Sequence, residues 1–215
     1  MTEKLRVTEI FHSLQGEART VGWPTVFVRL TGCPLRCGYC DTSYAFSGGM
    51  LFSIDEILTT VASWNPRFVC VTGGEPLAQK SCWQLMVALC DAGYQVSLET
   101  SGAIDMAGID PRVSKVMDFK TPASGEVHRN HYANVQHLLP HDQVKFVICD
   151  ELDYQWAKEC IEQYALASKV DDLLFSPSHS TQQPVALAEW ILRDRLNVRM
   201  QIQLHKYLWA DAAGH

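Results

Sequence analysis

Eight cysteines are distributed through the 215 residues, and three of them stand apart by their spacing. Cys33, Cys37 and Cys40 fall within the eight residues CPLRCGYC. That is close enough for one loop to wrap a soft metal centre with three thiolates. A fourth ligand would close a structural zinc site, but the nearest further candidates in sequence are His12 and Cys70. Three thiolates leave one iron of a cubane cluster open to a substrate or cofactor. The competing reading is a three-cysteine zinc site completed by a distant histidine, although the spacing is not a common zinc pattern. Cys70, Cys82, Cys90, Cys149 and Cys160 sit in apolar segments and read as small core residues.

The rest of the chain must hold that loop in place. A composition of 47% apolar and 20% charged residues, with 13 Gly and 9 Pro, is that of an ordinary globular protein. The length suits a single domain spanning residues 1–215, with a core that needs no staples. A net charge of −6 argues against nucleic acid as a partner. No apolar run is long enough to span a membrane, and MTEKLRVTEIF lacks the apolar stretch of a signal peptide. The expected location is therefore the cytoplasm, where thiols stay reduced and a disulfide framework is not expected.

Strand-like and helix-like patterns alternate along the chain. Strands are expected at residues 25–30, 68–72, 95–99, 115–119, 143–148, 173–176 and 198–203, rich in β-branched residues. Helices are expected at 53–63, 82–91, 152–166 and 184–196. The first carries Ser53 and Glu56 in capping-box spacing, with Ile54, Ile57, Leu58 and Val61 on one face. Gly93 lies just past the second, and Pro184 opens the last. The order implies an α/β fold. Polar, glycine-bearing segments recur at the strand ends: TGC, TGGE, ETSG, DFK, SPSH and HK. Active sites of barrel enzymes occupy that face. The expected architecture is a partial, open (β/α) barrel of about six parallel strands with modified crossovers, the segment between Thr42 and Ser53 being short. His128, His131, His137 and His141 crowd one stretch without suiting a metal site and read as surface.

Cys-x3-Cys-x2-Cys, with Tyr39 before the last cysteine, resembles the signature of the radical S-adenosylmethionine superfamily. TGGEP, ETSG and DFK follow in that superfamily's order. The resemblance implies a [4Fe–4S] cluster on Cys33, Cys37 and Cys40, with S-adenosylmethionine chelating the open iron. It further implies cofactor contacts from Tyr39, Cys40, Asp41, Gly74, Glu75, Glu99, Ser101, Asp118, Phe119 and Lys120. Electron transfer from the cluster would then cleave the sulfonium and release a 5′-deoxyadenosyl radical.

FHSLQGE, the CDT that ends the cysteine loop, and QLHKY near the C-terminus extend the likeness to nearly the whole chain. Together these motifs resemble the 7-carboxy-7-deazaguanine synthase family. That implies conversion of 6-carboxy-5,6,7,8-tetrahydropterin to 7-carboxy-7-deazaguanine with loss of ammonia, a lyase step toward queuosine and related deazapurines. Hydrogen would leave C6 for the adenosyl radical and return after ring contraction, so that S-adenosylmethionine is regenerated. Substrate contacts are implied for Leu14, Gln15, Gly16, Glu17, Arg29, Thr72 and His205, with Mg2+ on Thr42. Residues 203–207 are expected as the terminal strand. Arg29 suits a carboxylate because its guanidinium is a planar fork, and an arginine in an apolar strand needs a partner. A structural ion pair is the competing role for it. A homodimer and a flavodoxin-type electron donor complete the expectation. Two other readings remain at this point: a glycyl-radical-enzyme activase acting on a protein, and a non-catalytic iron–sulfur carrier. The tail beyond Tyr207 matches no motif.

Overall fold

The computed structural model describes residues 3–179, 181–210, 212 and 214. In chain order it comprises β1 (Lys4–Leu14), β2 (Pro24–Leu30), β3 (Met50–Ser53), α1 (Ile54–Ala62), β4 (Phe68–Gly73), α2 (Cys82–Asp91) and β5 (Gln95–Thr100). There follow β6 (Ser114–Phe119), β7 (Gln143–Ile148), α3 (Glu151–Gln163), β8 (Asp172–Pro177), α4 (Pro184–Asp194), β9 (Arg199–Met200) and α5 (Leu204–Trp209). The strands form one sheet in the order β3-β1-β2-β4-β5-β6-β7-β8-β9. From β2 to β9 every neighbour is parallel, whereas β1 is antiparallel to both β2 and β3. β3 and β9 remain edges, so the barrel is open as expected. Among the described residues it has six full parallel strands and a seventh, β9, of two residues.

Side chains alternate between the two faces of a strand, and here the faces differ sharply. One face presents Val26, Val28, Leu30, Val69, Val71, Val96, Leu98, Met117, Phe119, Val144, Phe146 and Phe175 to the apolar core beneath the helices. Helix α1 adds Ile57 and Val61 to that core, and Ser53 starts it with a complete capping box to Glu56. Such a cap is worth about 1 kcal/mol. Helix α2 ends as expected, with Gly93 just beyond it at a left-handed φ of +90°. The crossovers after β5 and β6 contain no α-helix, only 3-10 turns in the second, which is how the barrel departs from a regular (β/α) repeat.

Two parts of the expected order are corrected. The sheet does not begin at residue 25: β1 precedes it, and β3 folds back to pair with β1. A register shift between Val7 and Glu9 breaks the alternation of β1, so its sequence shows no clean period of two. At the other end, the strand expected over 198–203 shrinks to Arg199–Met200, and residues 204–209 form α5. Six residues are too few to display a helical period. Among the expected core cysteines, Cys82 and Cys160 lie in the main apolar cluster and Cys90 packs against it. Cys149 is only half-buried, while Cys70 is fully buried but shares a face with Thr72 two residues on.

Candidate active site

The other face of the parallel strands carries Arg29, Thr72, Glu99, Asp118, Lys145 and Ser176, which line a cavity of about 510 Å3. Strand pairing sets them in rows, since Arg29 is registered with Thr72 and Asp118 with Lys145. Charged side chains on a strand face need a ligand or one another. Here they have both a cavity and a network.

One wall is the cysteine loop. Cys33, Cys37 and Cys40 all line the cavity, with Tyr39, Asp41 and Thr42. The loop is pinned at several backbone points: Gly32 N donates to Ala45 O at 2.8 Å, Gly38 N to Ser124 O at 3.0 Å, and Cys40 N to Cys37 O at 3.1 Å. Arg36 lies over the Phe46 ring at 4.2 Å and donates to the carbonyls of Cys33 and Leu35. Behind the loop, a Cβ on Gly74 would overlap the Gly32 carbonyl, so the bare glycine lets strand end and loop touch. Burial pushes the Cys33 thiol up and the Cys37 thiol to about 11, with Lys120 opposing it at Cys37.

The opposite wall holds a carboxylate and ammonium network. Lys145 Nζ reaches Glu17 Oε2 at 2.7 Å and Asp118 Oδ2 at 3.6 Å. Burial opposes ionisation of Glu17, but Lys145 outweighs it, helped by Gln203, and the carboxyl is held well below its usual range. Gln203 and Gln201 donate to Glu17 at 2.8 and 3.2 Å. Lys120 pairs with Asp118 at 3.0 Å, while Asp118 Oδ1 and the Tyr39 hydroxyl are buried with no hydrogen-bond partner among the described residues. Thr42 Oγ1 donates to Asp41 Oδ1 at 2.7 Å, so its lone pairs stay available to a cation. His205, whose pKa burial lowers against the pull of Glu17, also lines the cavity. It sits against Gly16, where a Cβ would strike its ring, and Leu204 N donates to Gly16 O at 3.0 Å.

The cavity thus gathers Cys33, Cys37, Tyr39, Cys40, Asp41, Thr42, Gly74, Glu99, Ser101, Asp118, Lys120, Glu17, Arg29, Thr72 and His205 from distant parts of the chain. Five expected residues do not line it. Leu14 ends β1, and Gly16 contacts it only through His205. Gln15 is buried behind Glu99, to which its Nε2 donates at 3.3 Å. Glu75 is fully buried and accepts from Thr100 Oγ1, Ser101 N and Leu77 N, a brace for the turn. Phe119 stacks on Phe146 and Tyr132 on the helix side. Sequence reasoning missed Lys145 and Gln203; a lysine alternating with Val144 and Phe146 was the signal available for the first.

Comparison with known proteins agrees with this geometry. The radical SAM superfamily model matches residues 27–120. The 7-carboxy-7-deazaguanine synthase of Chlorobaculum tepidum is 45% identical over 98% of this chain and 97% of its own. That of Koribacter versatilis is 43% identical over 95% and 97%. The chain belongs to the 7-carboxy-7-deazaguanine synthase family. The crystal structure of QueE from Escherichia coli superposes with a TM-score of 0.72 at 20% identity, covering 94% of this chain and 95% of that one, and shares the fold.

The chain is therefore a radical S-adenosylmethionine enzyme, with a [4Fe–4S] cluster and S-adenosylmethionine as cofactors. The cavity fits them. Three thiols from one loop face it, the glycine strand end lies against that loop, and the orphaned Asp118 Oδ1 awaits a donor. Among the described residues no helix is long and apolar enough to cross a membrane.

Proposed function

We propose that this enzyme converts 6-carboxy-5,6,7,8-tetrahydropterin to 7-carboxy-7-deazaguanine with release of ammonia. The observation that carries the reading is one cavity with the cysteine loop on one side and Arg29, Glu17 and Lys145 on the other. Cys33, Cys37 and Cys40 hold the cluster, which with S-adenosylmethionine supplies a hydrogen-abstracting radical. Tyr39, Cys40, Asp41, Gly74, Glu99, Ser101, Asp118 and Lys120 would surround S-adenosylmethionine. Lys145 keeps Glu17 ionised, so that its carboxylate accepts N–H bonds from the pterin edge. Arg29 takes the substrate carboxylate. Thr42 would hold Mg2+, which prefers oxygen ligands and would supply positive charge near the substrate carboxylate.

By resemblance to the family, the enzyme works in the cytoplasm as a homodimer and receives its electron from a flavodoxin-type donor. A cavity of this size, lined by Gln203 and His205 among others, suits a small acid better than the peptide of an activase. The test is anaerobic turnover of the reconstituted protein with S-adenosylmethionine, Mg2+ and the carboxytetrahydropterin. One deazaguanine and one ammonia per substrate are expected. Cleavage of S-adenosylmethionine without deazaguanine would refute the substrate.

A further inference from the structure

Arg29 is not free to approach a carboxylate in any orientation. Its Nε donates to Glu9 Oε1 at 2.7 Å, the residue opposite it across the β1–β2 ladder. The same Glu9 oxygen accepts from the Tyr44 hydroxyl at 2.8 Å. The guanidinium carbon also lies 5.6 Å from the Phe11 ring centroid and 5.8 Å from that of Tyr44. Neither Glu9 nor Tyr44 lines the cavity, whereas Arg29 does. Among the described residues, Nε is the only Arg29 nitrogen with a side-chain acceptor. The pair of Nη groups is left for a ligand.

The competing roles for Arg29, structural ion pair and carboxylate anchor, are thus compatible, because they use different edges of one planar group. Arginine can meet a carboxylate side-on, through Nε and one Nη, or end-on, through both Nη. Glu9 occupies the first edge. Tyr44 belongs to the 3-10 turn Ser43–Phe46, directly after the cysteine loop and Thr42. The hydroxyl of Tyr44 therefore ties the orientation of Arg29 to the loop that carries the thiols. A reaction at the carbon bearing the carboxylate is sensitive to that distance, since displacement by about 1 Å costs roughly a hundredfold in rate.

We propose that Glu9 and Tyr44 are positioning residues that lock Arg29 for end-on capture of the substrate carboxylate. They register that carboxylate against the cysteine loop. The proposal rests on Arg29 being the carboxylate anchor of the function proposed above.

The experiment measures affinity by calorimetry for the carboxytetrahydropterin and for tetrahydropterin lacking the carboxylate. The reconstituted protein is used with S-adenosylmethionine bound. Arg29→Lys should lose at least tenfold in preference for the carboxylated ligand, the size of a charge-assisted bond. Glu9→Leu should lose preference by about tenfold and Tyr44→Phe by about threefold, with S-adenosylmethionine affinity unchanged in both. Glu9→Gln keeps an acceptor for both donors and should stay within about threefold of the unmodified protein. In an Arg29→Lys background, Glu9→Leu should have no further effect on preference, because it acts only through Arg29.

Preference retained in both Glu9→Leu and Tyr44→Phe, beside a loss in Arg29→Lys, would overturn the lock and leave the anchor standing. No loss in Arg29→Lys would overturn the anchor itself. Equal weakening of both pterins by Tyr44→Phe, a half-exposed residue whose ring is kept, would show a structural role and also overturn the lock.

Discussion

The cysteine loop and the wall of charged residues line one cavity, yet they are assembled in opposite ways. The loop takes its three thiols from eight consecutive residues and is fixed largely by backbone bonds and by Arg36. The facing wall draws Glu17, Arg29, Lys145, Gln203 and His205 from four separate segments; Glu17 is held by an ion pair to Lys145 and a hydrogen bond from the Gln203 amide, and Arg29 by an ion pair to Glu9. A centre whose ligands are local in sequence tolerates drift elsewhere in the fold. A site made of cross-strand partners exists only when the whole sheet is in register. Loss of one loop ligand should therefore abolish one function outright, while loss of one network member should degrade another by degrees.

The largest effect expected follows from the loop. Cys33→Ala, Cys37→Ala and Cys40→Ala should each remove the cluster absorbance and all cleavage of S-adenosylmethionine, since each thiolate would hold a different iron. Cys70→Ala should keep both, because the Cys70 thiol is buried on β4 outside the loop. Visible absorbance of the reconstituted variants decides the matter. A cluster that survives Cys37→Ala and is lost in Cys70→Ala would reverse the ligand assignment.

A smaller loss is expected from the network. Lys145→Met leaves Glu17 and Asp118 without their shared ammonium. Substrate affinity should fall roughly thirtyfold, about the worth of a charge-assisted bond, while the cluster spectrum is unchanged. Calorimetry together with absorbance would separate the walls; a Lys145→Met protein that takes up no cluster would show that they are not independent.

Thr42 lies where the two walls meet, and the smallest effect is predicted there. Removing Mg2+ should slow turnover and weaken substrate binding without altering the cluster spectrum. Thr42→Ala should reproduce this and Thr42→Ser should retain much of the activity, because its hydroxyl survives. Rates measured against Mg2+ concentration test it. A fully active Thr42→Ala would remove the ion from this position.

The same contrast explains what could be read from the sequence. The thiol spacing, helix α2 with its following Gly93, the capping box of α1 and strand β7 are written in neighbouring residues, and the structure has them where those residues place them. Strand β1 was not legible because its register shift interrupts the period of two. Helix α5 was not legible because its placement depends on Gly16, nearly two hundred residues away in sequence, accepting from Leu204. Lys145 alternates with apolar residues just as a solvated strand residue would. Only the pairing of β6 with β7 sets it beside Asp118.

The central claim is that one cavity brings the radical source and the pterin into contact. Substrate carrying deuterium at C6 tests this most directly, in anaerobic turnover followed by mass spectrometry of the product and of S-adenosylmethionine. The expected result is deuterium in the 5′ methylene of regenerated S-adenosylmethionine, with the cofactor not consumed in proportion to product; the deazaguanine carbon derived from C6 carries the carboxylate and no hydrogen, so it retains none. No deuterium in S-adenosylmethionine, with the cofactor cleaved once per product, would contradict it.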